Sequence, residues 1–230
     1  MPRETFDREL RRLQDEVLLL GSLVEQAALD AVDGLRRRDV QTARRVYLGD
    51  QVINDKRFAI ENAVLVLIAT QQPMAHDLRT LAAILEVITE LERMGDYCKG
   101  IALITIRLGN QEIDIPGRDF TRMAELGVDM LHRALSAFVN DDAEAARKIP
   151  PDDDLIDELY KKTTRHLIDV MVANKDIIDR ANLVMWVCHN LERFGDRVTN
   201  ICERTIFIAT GELLELETSD DEIKLLSPEE

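Results

Sequence analysis

Apolar residues recur along the first part of the chain mostly at alternating steps of four and three: Phe6, Leu10, Leu13, Val17, Leu20, Val24, Ala27, Ala31 and Leu35. This is the seam of a long amphipathic helix, about 45 Å at ~1.5 Å per residue. Asp39 can cap a short helix through Val46, and Asp50 opens another whose stripe includes Ile53, Ile60, Val64 and Leu67. Pro73 ends or kinks that helix. A further helix is predicted from about Ala75 to Leu108, and Gly109-Asn110 with Pro116-Gly117 forms the clearest break in the chain. Helical spacing returns with Met123, Leu126, Met130, Ala134 and Phe138. A second helix starts near Asp152 after Pro150-Pro151, and a third runs from about Ile177 to Thr210. Each half therefore holds three long helices.

The halves are copies. Leu91-Glu92-Arg93-Met94-Gly95-Asp96 recurs as Leu191-Glu192-Arg193-Phe194-Gly195-Asp196, and Ile101 recurs as Ile201, at an offset of 100. Upstream, Asp50 with Val52-Ile53-Asn54 matches Asp153 with Leu155-Ile156-Asp157 at an offset of 103, and Asp39 with Ala43 matches Asp141 with Ala145 at 102. A period near 100 exceeds that of a solenoid unit, so the expected fold is all-α, two tandem pseudo-symmetric three-helix bundles. Residues 1–112 form the first repeat, 117–211 the second, and 212–230 an acidic, frayed tail.

Composition narrows the function classes. The chain has 230 residues, 4% aromatics and only 16 Gly and Pro together, too little turn punctuation for many short strands. A net charge of −15 repels phosphate backbones, so nucleic acid is not an expected partner. The longest apolar run, Ala63 to Ala69, is far short of the roughly 20 residues that span a bilayer. The first seven residues carry acid and no leader-like apolar core, so a cytoplasmic location is expected. Cys98, Cys188 and Cys202 stand isolated at apolar helical positions and read as small core residues. His76, His132 and His166 read as ordinary surface or boundary residues, and Trp186 as a core or contact-surface residue. Neither a phosphate-binding loop nor a Gly-x-Ser-x-Gly elbow is present, and no residue stands out as a nucleophile.

The candidate chemistry lies in acids. On the third helix of each half the apolar stripe runs into Glu92, Gly95 and Asp96, and into Glu192, Gly195 and Asp196. The preceding helix contributes Asp50 and Asn54 in one half and Asp153 and Asp157 in the other. Antiparallel packing brings the start of one helix beside the end of the next, so three or four side-chain oxygens converge in each repeat. Unpaired ionised carboxylates are costly to desolvate, and something positive must face them. Arginines such as Arg79, Arg93, Arg193 and Arg197 could fill that role. The duplication favours a cation instead, and all-oxygen ligands suit Mg²⁺, Mn²⁺ or iron. The candidate metal ligands are Asp50, Glu92, Asp96, Asp153, Asp157, Glu192 and Asp196. His189 fits better as a hydrogen-bonding neighbour of Glu192 than as a ligand. Gly95 and Gly195, each costing about 1 kcal/mol inside a helix, imply close approach of a neighbouring helix or of an ion's ligand shell.

At the Leu-Glu-Arg-hydrophobic-Gly-Asp hexapeptides, and at Gln72-Pro73 followed by Asp77-Leu78-Arg79, the chain resembles the PhoU family of phosphate-uptake regulators over nearly its whole length. The resemblance implies multinuclear metal clusters on each bundle, of iron, zinc or other divalent ions. It also implies an adaptor that links a phosphate ABC transporter to its sensor histidine kinase as a negative regulator of the phosphate-starvation response. Asn54 in place of a second acid, and Gly100 opposite Asn200, depart from the repeat and predict a weaker first site. Self-association into a homodimer is a further expectation. A carboxylate-bridged metalloenzyme or metal-storage protein is the competing class. Such sites usually need Glu-x-x-His, which this chain lacks.

Overall fold

The computed structural model describes residues 2–111 and 113–216. Within them the chain runs through α1 (Pro2–Arg37), α2 (Val40–Gln71), α3 (His76–Leu108), α4 (Gly117–Val139), a single-turn α5 (Ala143–Ala146), α6 (Asp153–Ala173) and α7 (Ile178–Thr210). Short 3-10 turns at Pro150–Asp152 and Lys175–Ile177 lead into α6 and α7. The architecture is all-α, with one three-helix cluster from α1, α2 and α3 and a second from α4, α6 and α7. The clusters meet along α3 and α7 and again along α1 and α4, and their buried apolar residues form one continuous core. Among the described residues, no helix is long and apolar enough to cross a membrane. Of the expected acidic tail, residues 217–230 lie outside the described residues. Glu212 to Leu216 follow α7 without regular structure, and the Leu216 N–H donates to Glu203 Oε1 at 2.8 Å.

Asp39 caps α2 as the sequence predicts, accepting from the N–H groups of Gln41 (2.9 Å) and Thr42 (3.1 Å). The predicted break before Asp50 is absent, however, and α2 is continuous from Val40 to Gln71. Its buried seam passes straight through Ala43, Val46, Asp50, Ile53, Ile60, Val64 and Leu67. Packing along that seam outweighs the ~1 kcal/mol that Gly49 costs in a helix interior. In the second repeat the same stretch is broken. An offset of 103 sets Pro150 and Pro151 opposite Tyr47 and Leu48, and two prolines remove the backbone donors that would carry one helix across.

The upstream pairing also shifts by one residue. Asp142, not Asp141, is the counterpart of Asp39: it caps α5 through the Ala145 N–H at 2.9 Å. The residues before the two caps, Arg38 and Asp141, share a left-handed backbone with φ of 58° and 53°. Cap and cluster acid thus keep the same offset of 103.

The α3–α7 seam carries the polar contact between repeats. Glu90, only 8% exposed, accepts from Arg93 (2.6 Å) on its own helix and from Arg197 (3.3 Å) and Asn200 (3.1 Å) on α7. By the repeat symmetry Asn190 faces Gly100, where a Cβ would lie 2.9 Å from its Nδ2. The difference between Gly100 and Asn200 is therefore a packing difference across this seam. Arg193 lies over the Tyr97 ring, 5.0 Å from its centroid. Truncating Glu90 strands three donors, two of them partly solvated, so Glu90→Ala is expected to lower stability by about 1–2 kcal/mol in urea unfolding. An unchanged midpoint would show that the seam is held by apolar contacts alone.

Candidate acidic sites in the two repeats

Each repeat buries one aspartate on the seam between its second and third helices. Asp50 of α2 is 4% exposed and Asp153, the first residue of α6, is 2% exposed. Each faces the glycine between the two acids of the next helix. At Gly95 a Cβ would lie 3.0 Å from Ile53 Cδ1 and 3.8 Å from Asp50 Oδ1; at Gly195 it would lie 2.2 Å from Asp153 Oδ1 and 3.0 Å from Ile156 Cδ1. Both glycines thus admit a neighbouring helix, and Gly195 also admits a carboxylate.

Asp50, Glu92 and Asp96 come together in the first repeat. Asp50 Oδ2 accepts from Asn54 Nδ2 (3.0 Å) and from the Lys99 ammonium (2.6 Å), while Oδ1 is buried with no hydrogen-bond partner. Lys99 Nζ also lies 3.9 Å from Asp96 Oδ1 and 5.7 Å from the centroid of the Tyr47 ring. The carboxyls of Glu92 and Asp96 are held above their ordinary range, first by burial. Asp96 then acts on Glu92 and Asp50 on Asp96, while Arg57 and Lys99 oppose the two shifts. The hydrogen bond to Asp50 raises the Lys99 pKa, so the ammonium form is the one the site holds.

The second repeat brings Asp153, Asp157, Glu192 and Asp196 into mutual electrostatic contact, and no lysine stands at the place of Lys99. Its counterpart is Thr199, whose buried hydroxyl has no hydrogen-bond partner. Burial pushes Asp153 up to about 8, helped by the charges of Asp196, Asp157, Glu192 and Asp154. Burial likewise carries Glu192 to about 7, with Asp196 and Asp157 raising it and Arg193 and Arg197 opposing. Asp196 is raised by burial against Arg197, Arg193 and His189. The N-terminus of α6 contributes partial positive charge at Asp153, too little to cancel these effects. Asp153 Oδ1 and Glu192 Oε2 are both buried without a hydrogen-bond partner.

The four arginines weighed as counter-ions make their hydrogen bonds and ring contacts elsewhere, and Arg193 and Arg197 act on Glu192 and Asp196 through charge alone. Arg93 and Arg197 bond Glu90, Arg79 donates to the Ile208 carbonyl at 3.2 Å, and Arg193 stacks on Tyr97. His189 Nδ1 lies 3.4 Å from Glu192 Oε2, and its ring packs edge-on against Trp186, centroids 5.6 Å apart. Trp186 is 53% exposed, which excludes the core. His76 pairs with Asp141 at 3.1 Å and His132 with Glu25 at 3.4 Å. The three cysteines are buried and free, their thiols pushed up by burial. Lys99 and Thr199 escaped the sequence reading, although setting the repeats against each other at an offset of 100 pairs them.

Chemically, the second set suits a hard cation: its donors are all oxygen, and Asp153 Oδ1 and Glu192 Oε2 are buried without a hydrogen bond. As the side chains stand, no three His, Cys, Asp or Glu residues among the described residues are gathered closely enough to hold one ion. The first set already contains a cation of its own.

The PhoU domain matches twice, at residues 17–105 and 120–205, once per repeat. The phosphate-specific transport system accessory protein PhoU homolog of Clostridium acetobutylicum is 34% identical over 94% of this chain and 99% of its own length. The Escherichia coli protein PhoU is 31% identical, covering 96% of this chain and 92% of its own. Crystal structures of PhoU from Streptococcus pneumoniae and Pseudomonas aeruginosa superpose with TM-scores of 0.84 and 0.85 at 34% and 31% identity. They cover 92% and 90% of this chain and the whole of their own. With both repeats matched, and with sequence and fold in agreement over 90% or more of its length, the chain belongs to the PhoU family.

Proposed function

We propose that the protein is a cytoplasmic adaptor that restrains the phosphate-starvation response by linking a phosphate ABC transporter to its sensor histidine kinase, with metal bound by carboxylates of its helical bundles. A PhoU-like regulatory role in phosphate homeostasis follows from family membership, and members of the family are non-enzymatic regulators. The match over both repeats carries this reading. Long helical faces suit docking to other proteins, and α2 leaves Leu48, Val52, Phe58, Leu65 and Val66 exposed, which supports a protein partner or a second copy of the chain. Capture experiments at high and low phosphate, probed for the transporter and the kinase, test the adaptor. Recovery of neither under both conditions would reject it.

For the metal, the supporting observation is the buried, unpartnered Asp153 Oδ1 amid three further acids. Asp153, Asp157, Glu192 and Asp196 would hold the ion, which would add positive charge to that of Arg193, Arg197 and His189 nearby. Iron or zinc is the reading from family resemblance, and Mg²⁺ or Mn²⁺ suits the same oxygens. Replacing Glu192→Ala with Asp196→Ala is expected to release the metal while keeping the helical circular dichroism, because both side chains lie at the rim of the core. Unchanged metal content by elemental analysis would remove these residues from the site.

A further inference from the structure

The two acidic sets differ at two charged positions, Lys99 against Thr199 and Asn54 against Asp157, in a way the shared fold does not require. Lys99 places its ammonium 2.6 Å from Asp50 Oδ2 and 3.9 Å from Asp96 Oδ1, over the Tyr47 ring. At the corresponding places the second repeat has Thr199 for the lysine, Pro150 for the tyrosine and Asp157 for Asn54. The first set is therefore three acids, an amide and a lysine bonded to its buried aspartate; the second is four acids with a hydroxyl at the lysine's place, its buried Asp153 Oδ1 without a hydrogen-bond partner while Arg193, Arg197 and His189 act on Glu192 and Asp196. An ammonium and a divalent ion compete for the same carboxylate oxygens, and two positive charges on one buried carboxylate repel each other.

We propose that the Lys99 ammonium stands in the first repeat where a metal ion stands in the second, so that the chain takes up metal in one half only. The inference rests on the metal reading of the second set, and the experiment separates the two. Mn²⁺ is titrated calorimetrically into four chelator-stripped proteins: the unaltered chain; a chain with Asp153→Asn and Glu192→Gln; that pair with Lys99→Thr; and that pair with Lys99→Arg. The unaltered chain is expected to bind, and the second protein to lose at least a hundredfold in affinity. Lys99→Thr should restore binding at least tenfold over the second protein, now in the first repeat, and Lys99→Arg, which keeps the charge, should not.

Thermal melts of the same proteins give a second readout. Without Mn²⁺, Lys99→Thr should melt lower than its parent because Asp50 loses its counter-charge, and Mn²⁺ should reverse that loss, even if the stripped variant is unfolded. Full retention of binding in the second protein would put the metal beside Lys99 and overturn the proposal. So would a Lys99→Thr protein indifferent to Mn²⁺ in both assays, or equal rescue by Lys99→Arg. An unaltered chain that takes up no Mn²⁺ refutes the metal reading instead. In that case Lys99→Thr still decides whether cation and ammonium are interchangeable in the first repeat.

Discussion

Protein stripped of metal is expected to unfold at a lower temperature at about pH 8.5 than at about pH 5.5, contrary to the behaviour of a protein whose acids are paired. Asp153 and Glu192 hold their protons up to about 8 and about 7 in the fold, whereas the unfolded chain releases them near the ordinary values of ~4. Across that interval the folded state binds more protons, so each rise in pH favours unfolding, and the loss is complete only above the folded values. The expected decline is about 2–4 kcal/mol, read as a falling melting temperature in chelator. Asp33 and Asp39 act in the opposite sense. Hydrogen bonds hold their carboxyls below the ordinary range, so their contribution is lost only as pH falls below about 4, outside this window. Asp153→Asn should flatten the decline and stabilise the stripped protein at high pH. Because metal and protons compete for the same oxygens, affinity for the ion should rise with pH over the same interval. A melting temperature that stays level or climbs from about pH 5.5 to 8.5 would mean that the second acidic set ionises without cost.

The second large effect is expected at a glycine. Alanine in a helix interior gains about 1 kcal/mol over glycine, so Gly→Ala is favourable where there is room. At Gly195 the new methyl would sit 2.2 Å from Asp153 Oδ1, a separation no packed structure sustains. Either the carboxylate swings away or α6 moves off α7, and overpacking of this kind costs about 1–3 kcal/mol. Metal affinity should fall at least a hundredfold with it, since the displaced oxygen is the buried orphan. At Gly95 the same change meets Ile53 Cδ1 at 3.0 Å and leaves Asp50 Oδ1 at 3.8 Å, so propensity gain and crowding nearly cancel. Paired melts and Mn²⁺ titrations of Gly95→Ala and Gly195→Ala check the contrast. Equal effects at the two positions would show that Asp153 does not depend on the glycine.

Much of this was legible before any coordinates. The duplication, the helix starts at Asp39 and after Pro150-Pro151, and the positions of the acids all follow from local spacing, because caps, prolines and helical stripes act within a turn or two of the residues that encode them. What failed to show depends on comparing energies or on contacts far apart in the chain. Gly49 next to Asp50 reads as a boundary, and only the buried seam running through Asp50 tells that α2 continues. The choice between Asp141 and Asp142 as cap turns on one left-handed residue before it, which Asn140 or Asp141 could supply, and Asp141 does. Glu90 looks like one more helix-surface acid until α7 brings Arg197 and Asn200 to it. Arg93 and Arg197 looked like partners for the clustered acids for the same reason. Lys99 lies between the repeated hexapeptide and the matched Ile101, at a position where the repeats differ, and only the packing of α2 on α3 brings Asp50 to it.

A ring of identical subunits must repeat every substitution at every copy of a pocket. Here the two pockets sit in one polypeptide, and Lys99 faces Asp50 while Thr199 occupies the matching place. Fusion of the duplicates therefore released each pocket from the symmetry of its twin. One could specialise, or fall silent, while the joined scaffold stayed whole.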